Sequence, residues 1–146
     1  HFYKADHIFE KDLQQAFIQH TSYPENRSLP YFVKNDSKLE SQLISQEVFT
    51  GITATAGGFY GPQGRVLRLE LDRADMNQKI ESFRFKDLRI SNLEMETSAI
   101  YGLSKLLGHK AVSMNAIIAN RADLTFSRDP YRAVDQLIEY TLNKLV

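Results

Sequence analysis

Apolar residues recur at helical spacing in five segments, and each segment is predicted to form an amphipathic helix. The clearest is residues 94–107, and the same periodicity occurs in residues 10–20, 36–46, 72–83 and from residue 130 onward. One face of each helix is therefore predicted to pack against a core. The positions predicted to face inward are Leu13, Ala16, Phe17, His20, Leu39, Leu43, Ile44, Met76, Ile80, Phe83, Met95, Ala99, Leu103, Leu106, Leu107, Val134, Leu137, Ile138, Leu142 and Leu145.

Short apolar and β-branched runs between these segments predict strands. The predicted strands are residues 31–33, 48–56, 66–71, 88–93 and 111–119. Because helical and strand patterns alternate along the chain, the predicted class is α/β. Apolar strands flanked by helices further indicate a sheet that is covered on both faces.

The composition is that of a folded chain without net charge. Hydrophobic residues make up 42% of the 146 positions, which is enough for the core of one domain. The 18 basic residues equal the 18 acidic residues in number, so nothing electrostatic favours nucleic acid or a membrane surface as a partner. No apolar run approaches the ~18 residues that a membrane span needs.

The chain contains no cysteine, which excludes disulfides and is typical of a cytoplasmic protein. The four histidines show no metal-ligand spacing with carboxylates, so no metal site is predicted. No nucleophile elbow or Ser/His/Asp set stands out either. The sequence begins at His1 without Met or a signal-peptide pattern. This start indicates either a longer reading frame or a residue left from a purification tag.

The first segment with candidate chemistry is the glycine-rich run GGFYGPQGR, residues 57–65. Phe59 offers a flat apolar face, Gln63 an amide that both donates and accepts, and Arg65 a planar fork of donors. Together they could stack on a planar ring and read its polar edge. A mobile surface loop with an aromatic plug remains an alternative. A phosphate cradle is disfavoured, because the run lacks GxGxxG and a GK[ST] ending.

The second segment is NLEMETSAIYGLSKLLG, which begins the predicted helix of residues 94–107. Glu94 and Glu96 are two positions apart and would point in different directions on a helix. One carboxylate could accept hydrogen bonds from a sugar diol. The alternative is an acid that is favoured at a helix N-terminus by the helix dipole.

The third segment is NAIIANRAD, in which Ile117 and Ile118 lead into Asn120 and Arg121. Ligands of open α/β sheets bind beyond the carboxyl ends of strands, so Arg121 could close or polarise a pocket there. A solvated arginine is the alternative. Asp123 is interpreted as a local partner of Arg121 rather than a general acid.

The order of these segments resembles the uridine phosphorylase branch of the nucleoside phosphorylase superfamily. That family shows T-A-x-x-x-x-F-Y-x-x-Q-x-R after a strand, then N-x-E-M-E-[ST], then a strand that ends in N-R. Here the motifs are residues 53–65, residues 92–97 and Asn120-Arg121. The form FYGPQGR is most similar to bacterial members. The resemblance implies a three-layer phosphorylase/hydrolase-like fold with a central mixed sheet, and it covers most of residues 31–146.

For the base, the resemblance implies a pocket built from the glycine-rich loop. Phe59 would pack on the nucleoside, and Gln63 and Arg65 would hydrogen-bond the polar edge of uracil. Ile117 and Ile118 would line the base site.

For the sugar, the resemblance implies that Met95 and Glu96 hold the ribose and that Glu96 hydrogen-bonds the 2′-hydroxyl. Glu94 would line the pocket beside them, and Arg121 would help to close it.

The implied reaction is reversible phosphorolysis of uridine to uracil and ribose 1-phosphate. Gln63 and Arg65 would stabilise the negative charge that builds on the departing base. Glu96 would fix the ribose and favour its positive charge. Inorganic phosphate is a co-substrate, and no metal or other cofactor is required, because positioning and electrostatics suffice.

Family members are considerably longer, and their phosphate-binding residues lie upstream of the matching region. The chain is therefore interpreted as the C-terminal part of one phosphorylase domain, inactive alone. Residues 1–30 match less well and residues 31–146 form the base- and ribose-binding part. The resemblance also implies a homo-oligomer, a dimer or a hexamer.

Two other functions remain open. A purine nucleoside phosphorylase or a nucleosidase of the same fold would use an Asp near the strand end, and Asp123 keeps that alternative in view. The other open function is a fragment that binds nucleosides without catalysing a reaction.

Overall fold

The computed structural model describes residues 4–120 and 123–145 and contains five helices in that part of the chain. The helices are α1 (Lys11–Thr21), α2 (Ser37–Leu43), α3 (Met76–Ser82), α4 (Thr97–Leu106) and α5 (Pro130–Leu145). Each predicted helical segment therefore contains a helix, although α2, α3 and α4 are shorter than predicted. Short 3₁₀ turns lie at Asp6–Ile8 and Gly61–Gln63.

The larger sheet has three strands: β1 (Ile52–Thr55), β2 (Arg84–Phe85) and β3 (Leu88–Glu94). Its order is β1-β3-β2, and β3 pairs in parallel with β1 and antiparallel with β2. The segment between β1 and β3 contains α3, as a parallel crossover requires. A separate hairpin joins β4 (Ala119–Asn120) and β5 (Thr125–Phe126).

Helices pack against this mixed sheet, with α3 against β3 and α4 against β1. The predicted α/β class with a mixed central sheet flanked by helices is thus confirmed. Phe17 of α1 and Phe83 after α3 meet edge to face with their ring centroids 5.2 Å apart. Phe32 meets Phe17 at 5.4 Å, so an aromatic cluster joins the N-terminal helix to the end of α3.

The short helix α2 is stabilised by a cap at its start and by a buried leucine at its end. Asp36, which precedes it, accepts hydrogen bonds from the backbone N–H groups of Lys38 and Leu39 at 3.1 and 2.9 Å. This is an N-terminal cap that satisfies two donors of the first turn. Leu43 at its end is buried, and its carbonyl accepts a hydrogen bond from the Tyr140 hydroxyl of α5 at 2.7 Å.

Three of the five strand predictions were wrong or largely wrong. Residues 31–33 contribute only one isolated bridge, from Val33 to Phe9. Residues 66–71 form no strand, and only the last residue of 111–119 lies in one. A strand forms only where a neighbouring strand completes its hydrogen bonds. Among the described residues, no strand lies beside residues 66–71, and residues 111–118 accept only single backbone hydrogen bonds, from Asp36 to Ala111 and from Ser127 to Ile118.

Many positions predicted to face inward are exposed, most of them on α4 and α5. The apolar pattern identifies which face of a helix is hydrophobic, and it does not supply an element that covers this face. The exposed positions are His20, Ile44, Met95, Ala99, Leu103, Leu107, Val134, Ile138, Leu142 and Leu145.

Candidate functional site

The glycine-rich loop and the NLEMET segment leave the sheet side by side. Thr55 ends β1, Glu94 ends β3, and the two residues are partners in the parallel register. The backbone N–H of Ala56 donates to the carbonyl oxygen of Glu94 at 2.8 Å and extends the pairing by one residue. Thr55 and Glu94 are 39 residues apart in sequence. Their pairing places the glycine-rich loop and the NLEMET segment next to each other at the carboxyl end of the sheet. This edge is where open α/β sheets bind ligands.

The carboxylate of Glu94 is fully engaged by protein donors. Its Oε1 accepts a 2.6 Å hydrogen bond from the Thr55 hydroxyl. Its Oε2 accepts from the backbone N–H groups of Glu96 and Thr97, each at 2.8 Å. Because the first N–H groups of a helix have no partner within the helix, Glu94 satisfies donors at the start of α4.

The prediction that the helix begins at Glu94 was therefore wrong. Glu94 is the last residue of β3, and α4 begins at Thr97. Burial raises the pKa of the Glu94 carboxyl, but the hydrogen bonds from Thr55, Glu96 and Thr97 outweigh it and hold the pKa below its ordinary value. Glu94 is accordingly an ionised structural acceptor.

Met95 and Glu96 occupy the turn between β3 and α4, and both are exposed. The Oε2 atom of Glu96 accepts a 3.2 Å hydrogen bond from the backbone N–H of Met95. The fixed backbone on either side, set by Glu94, holds these two side chains at the carboxyl edge of the sheet. Neither side chain is committed to the core, so both are accessible to a ligand.

The glycine-rich loop carries a stacked pair of side chains. The Arg65 guanidinium lies over the Phe59 ring, 3.8 Å from its centroid, and Tyr60 meets Phe59 edge to face at 5.3 Å. Such a cation–π pair orients a flat donor fork beside an aromatic face. The Nε atom of Arg65 is buried without a hydrogen-bond partner among the described residues.

Gln63 ends the 3₁₀ turn of this loop, and its side chain is only 4% exposed. Its backbone carbonyl accepts a hydrogen bond from the Asn77 amide of α3 at 3.3 Å, which ties the loop to that helix. Gly64 follows with φ of +71°, a left-handed conformation that favours glycine. The turn at Gly64 thus reverses the chain and brings Arg65 back over Phe59.

The third predicted segment leads into the hairpin of β4 and β5. Ile117 and Ile118 are exposed and precede β4. Asp123 accepts hydrogen bonds from the Asn120 amide at 3.0 Å and from the Thr125 hydroxyl at 2.6 Å, which closes the β4–β5 turn. Arg121, predicted to help close the pocket, lies outside the described residues.

A large open cleft of about 1830 Å³ runs along the sheet. Of the nine predicted site residues, Met95 and Ile117 line it, together with Gly57, Gly61 and Gly64 of the loop. Single-ligand pockets occupy roughly 300–1,000 Å³, so the cleft is larger than a nucleoside site. Phe59, Gln63, Arg65, Glu94, Glu96 and Ile118 are not among its lining residues.

Two residues that hold this site together were not predicted as functional. Thr55 both binds Glu94 and accepts a 3.0 Å hydrogen bond from the Ser98 backbone N–H. Asn77 anchors the loop from α3. A threonine that ends a strand just before a glycine-rich loop was the available signal for Thr55, whereas nothing in the local pattern marked Asn77. No group of three or more potential metal-ligating side chains occurs within residues 4–120 and 123–145.

Comparison with known proteins identifies the family of the chain. The family model of the phosphorylase superfamily matches residues 4–144. This chain belongs to the phosphorylase superfamily. The superfamily assignment confirms the resemblance drawn from the three motifs.

A solved structure supports the superfamily fold. It is a nucleoside phosphorylase of Trypanosoma brucei, described as showing uridine phosphorylase activity. It superposes with a TM-score of 0.60 and 27% sequence identity, over 92% of this chain and 40% of that chain. The present chain thus spans less than half the length of that relative. No curated protein matches the chain. Among the described residues, no helix is long and apolar enough to cross a membrane.

Proposed function

We propose that the chain is the base- and ribose-binding part of a nucleoside phosphorylase that converts uridine and phosphate to uracil and ribose 1-phosphate. The observation that carries the proposal is the adjacency of the glycine-rich loop and the NLEMET segment at the ends of β1 and β3, joined by the 2.8 Å bond from Ala56 to Glu94. The similarity to the T. brucei nucleoside phosphorylase, which is described as showing uridine phosphorylase activity, also supports the proposal.

In this proposal the loop binds the base. The exposed face of Phe59 packs on the pyrimidine, while Arg65, stacked on Phe59, and Gln63 supply donors to its oxygens. Phosphorolysis leaves negative charge on the base, so donors that are already oriented would stabilise the transition state. Gln63 is buried, and its amide therefore reaches a base only from the inner side of the loop. Ile117 and Ile118 contribute apolar surface to the same site.

The turn after β3 binds the sugar. Glu96 is exposed, and its carboxylate accepts a hydrogen bond from the 2′-hydroxyl, while Met95 packs on the ribose. Glu94 acts differently from what the resemblance implies. Because its oxygens are taken by Thr55 and by two backbone N–H groups, it positions Met95 and Glu96. Arg121 is proposed to close the site, and inorganic phosphate is the attacking co-substrate, with no other cofactor.

The phosphate-binding residues belong in this proposal to the rest of a longer protein, because the chain spans 40% of its solved relative. The alternative of a purine-specific phosphorylase or nucleosidase depends on Asp123 acting as an acid. Both oxygens of Asp123 accept hydrogen bonds from Asn120 and Thr125, which favours a structural role. Binding of nucleosides without turnover is the remaining alternative.

The test follows base release by the protein expressed from its full reading frame, with uridine, inosine and adenosine, each with and without phosphate. Release from uridine that requires phosphate is expected. Release without phosphate would assign the protein to the nucleosidases, and release from purine nucleosides alone would contradict the roles of Gln63 and Arg65. Binding of uridine without any release would establish the non-catalytic alternative.

A Glu96→Ala variant tests the sugar assignment separately. Its affinity for uridine should fall while its affinity for free uracil stays unchanged, because uracil has no 2′-hydroxyl. Glu139→Ala is the matched control, since Glu139 is an exposed carboxylate on α5 that does not line the cleft. Equal losses for uridine and uracil would place Glu96 at the base or in the fold rather than at the ribose.

A further inference from the structure

The turn in the glycine-rich loop is shaped by hydrogen bonds of its own backbone. The carbonyl of Tyr60 accepts hydrogen bonds from the backbone N–H groups of Gln63 and Arg65, each at 3.0 Å. The carbonyl of Gly61 accepts one from Gly64 at 2.9 Å. These hydrogen bonds fix the shape of the turn, but they join no other element to it. The position of the turn therefore depends on contacts from outside the loop.

Asn77, in the first turn of α3, makes such a contact. Its side-chain Nδ2 donates to the Gln63 carbonyl at 3.3 Å. A Cβ added at Gly64 would collide with the same Asn77 amide, so the helix and the turn approach each other as closely as a glycine allows. The next residue, Arg65, has its guanidinium 3.8 Å from the centroid of the Phe59 ring. Asn77 thus contacts the turn just before the residue that carries the stacked guanidinium.

The start of α3 is itself fixed against the end of α1. The Arg73 guanidinium donates to the carbonyls of Thr21 and Ser22 at 3.3 and 3.1 Å. Lys79 Nζ also donates to the Thr21 carbonyl, at 3.2 Å. The last carbonyls of a helix have no partner within it, so the two cations satisfy acceptors at the end of α1. Asp75 lies between them, 2.8 Å from Lys79 and 3.2 Å from Arg73, and hydrogen bonds from these two side chains lower the pKa of its carboxyl to about 2. This cluster of charges holds α3 in place relative to α1.

The other end of α3 is fixed by packing. Phe83, directly after the helix, is 1% exposed, and its ring meets that of Phe17 in α1 edge to face. The helix also packs against β3, the strand that ends at Glu94. Helix ends that lack such contacts fray, whereas α3 is held at both ends. A side chain in its first turn is therefore presented to the loop from a fixed support.

We propose that Asn77 is a positioning residue for base recognition, because its amide holds the turn that carries Gln63 and Arg65. It acts through the Gln63 carbonyl, and the Arg65 guanidinium takes its position over Phe59 as a consequence. The inference rests on the proposed function, since it concerns the same base site. The turn after β3 is held by different hydrogen bonds, those that Glu94 accepts. Asn77 should therefore affect binding of the base and leave binding of the sugar unchanged.

The first test exchanges an amide for a carboxylate at two neighbouring positions of α3, in the protein expressed from its full reading frame. Asn77→Asp keeps the size of the side chain, removes the donor and places a negative charge beside the Gln63 carbonyl. Gln78→Glu is the matched control, the same exchange at the next residue, which is exposed and does not line the cleft. Calorimetry measures the affinities for uracil and for ribose 1-phosphate. In Asn77→Asp the affinity for uracil should fall roughly threefold to tenfold and that for ribose 1-phosphate should stay unchanged. Gln78→Glu should bind both ligands like the wild type.

The outcomes separate this inference from the proposed function. A wild type that binds no uracil would contradict the proposed function and the base site with it. Uracil binding by the wild type with the same affinity in Asn77→Asp would overturn the role of Asn77 alone, and so would equal losses for uracil and ribose 1-phosphate. Asn77→Ala removes the donor without adding a charge and should show the same selective loss. If Asn77→Ala bound uracil like the wild type, the added charge rather than the missing hydrogen bond would be responsible, and the inference would fail.

Nuclear magnetic resonance shows whether Asn77 acts through the loop. The ring current of an aromatic side chain shifts protons above its face upfield, so the guanidinium N–H signals of Arg65, assigned by their absence in Arg65→Lys, monitor the stack on Phe59. The upfield shift should be present in the wild type and in Gln78→Glu and reduced in Asn77→Asp and Asn77→Ala, with circular dichroism to confirm that each variant is folded.

Direct contact between Asn77 and the base is the alternative, because Asn77 also lines the cleft. In that case the Asn77 variants would lose uracil affinity while the Arg65 signals kept their upfield shift. This result would overturn the positioning role, whereas loss of both the affinity and the shift would support it.

Discussion

The hydroxyl of Thr55, at the end of β1, donates a 2.6 Å hydrogen bond to the carboxylate of Glu94, at the end of β3. The same hydroxyl accepts a 3.0 Å hydrogen bond from the Ser98 backbone in α4. One side chain therefore connects two parallel strands and the helix that follows them. Because the glycine-rich loop begins just after Thr55 and the NLEMET turn just after Glu94, this contact sets the relative position of the two motifs.

Replacing Thr55 with valine keeps the shape of the side chain and removes both hydrogen bonds. Glu94 and the Ser98 N–H would each lose a partner in a partly buried place, so the free energy of unfolding should fall by about 1–3 kcal/mol. Urea denaturation measures the change. Thr55→Ser retains the hydroxyl and should recover most of the loss. If serine were as destabilising as valine, packing of the methyl group rather than the hydrogen bonds would be responsible.

The Glu94 contact also predicts how stability depends on pH. Its pKa in the folded chain is below the ordinary value of 4.5, so the unfolded chain binds the proton more readily. The stability from Glu94 is thus fully present above that ordinary value and is lost as the pH falls through the lower, folded-state pKa. Unfolding free energies of wild type and Glu94→Gln should differ most near neutral pH and converge in acid. A constant difference across that range would contradict the assigned cause.

Helices were predictable from this sequence because their hydrogen bonds are local. The periodicity of residues 10–20 and the cap at Asp36 are complete within one stretch of chain. Strands were predictable only in part: β1 and β3 form where predicted, whereas residues 66–71 and 111–118 have suitable side chains but no neighbouring strand among the described residues. The pattern of NLEMET continues into α4 without a break, and the helix start at Thr97 is set by Glu94 and Thr55, which lies 42 positions earlier. No local pattern contains that information.

The same distinction holds for the candidate site. The chemistry assigned to Phe59, Arg65 and Glu96 from their residue types stays a prediction, and the structure adds the stack of Arg65 on Phe59 and the position of Glu96 just after β3. The support for the loop from Asn77 was not predictable, since it depends on how α3 packs. The hydrogen bonds that Glu94 accepts at the start of α4 agree with the alternative of an acid favoured at a helix N-terminus, and its role as a pocket-lining acid stays a prediction.

The stack of Arg65 on Phe59 yields a prediction about the base. Phe59→Leu keeps an apolar side chain but removes the flat face on which both the guanidinium and a pyrimidine pack. Uracil affinity, measured by calorimetry, should fall roughly threefold to tenfold. Tyr60→Leu is the matched control, because Tyr60 is a similarly exposed aromatic that meets Phe59 edge-on. Equal losses for the two variants would mean that the loop, rather than the Phe59 face, determines binding.

Gly64 predicts a backbone dependence of the same loop. Its φ of +71° disfavours any side chain, and an added Cβ would collide with the Asn77 amide. Gly64→Ala should lower the free energy of unfolding by roughly 1–2 kcal/mol or more and displace Arg65 from Phe59. Gly61→Ala is the control, since open space surrounds that position. In an Asn77→Ala background, which removes the collision, Gly64→Ala should still lower the free energy of unfolding but by less, and no loss in that background would show that φ contributes nothing.

Two leucines that the sequence pattern treats alike should respond differently to truncation. Leu43 is 2% exposed, with its carbonyl bound by Tyr140, whereas Leu142 of α5 is 56% exposed. Leu43→Ala removes contacts on all sides and should cost roughly 2–5 kcal/mol of unfolding free energy. Leu142→Ala should cost less than about 1 kcal/mol, because the side chain has little surface to expose on unfolding. Denaturation of both variants measures the difference. A large loss from Leu142→Ala would mean that the apolar stripe of α5 is packed in solution, against another copy or within a rearranged chain.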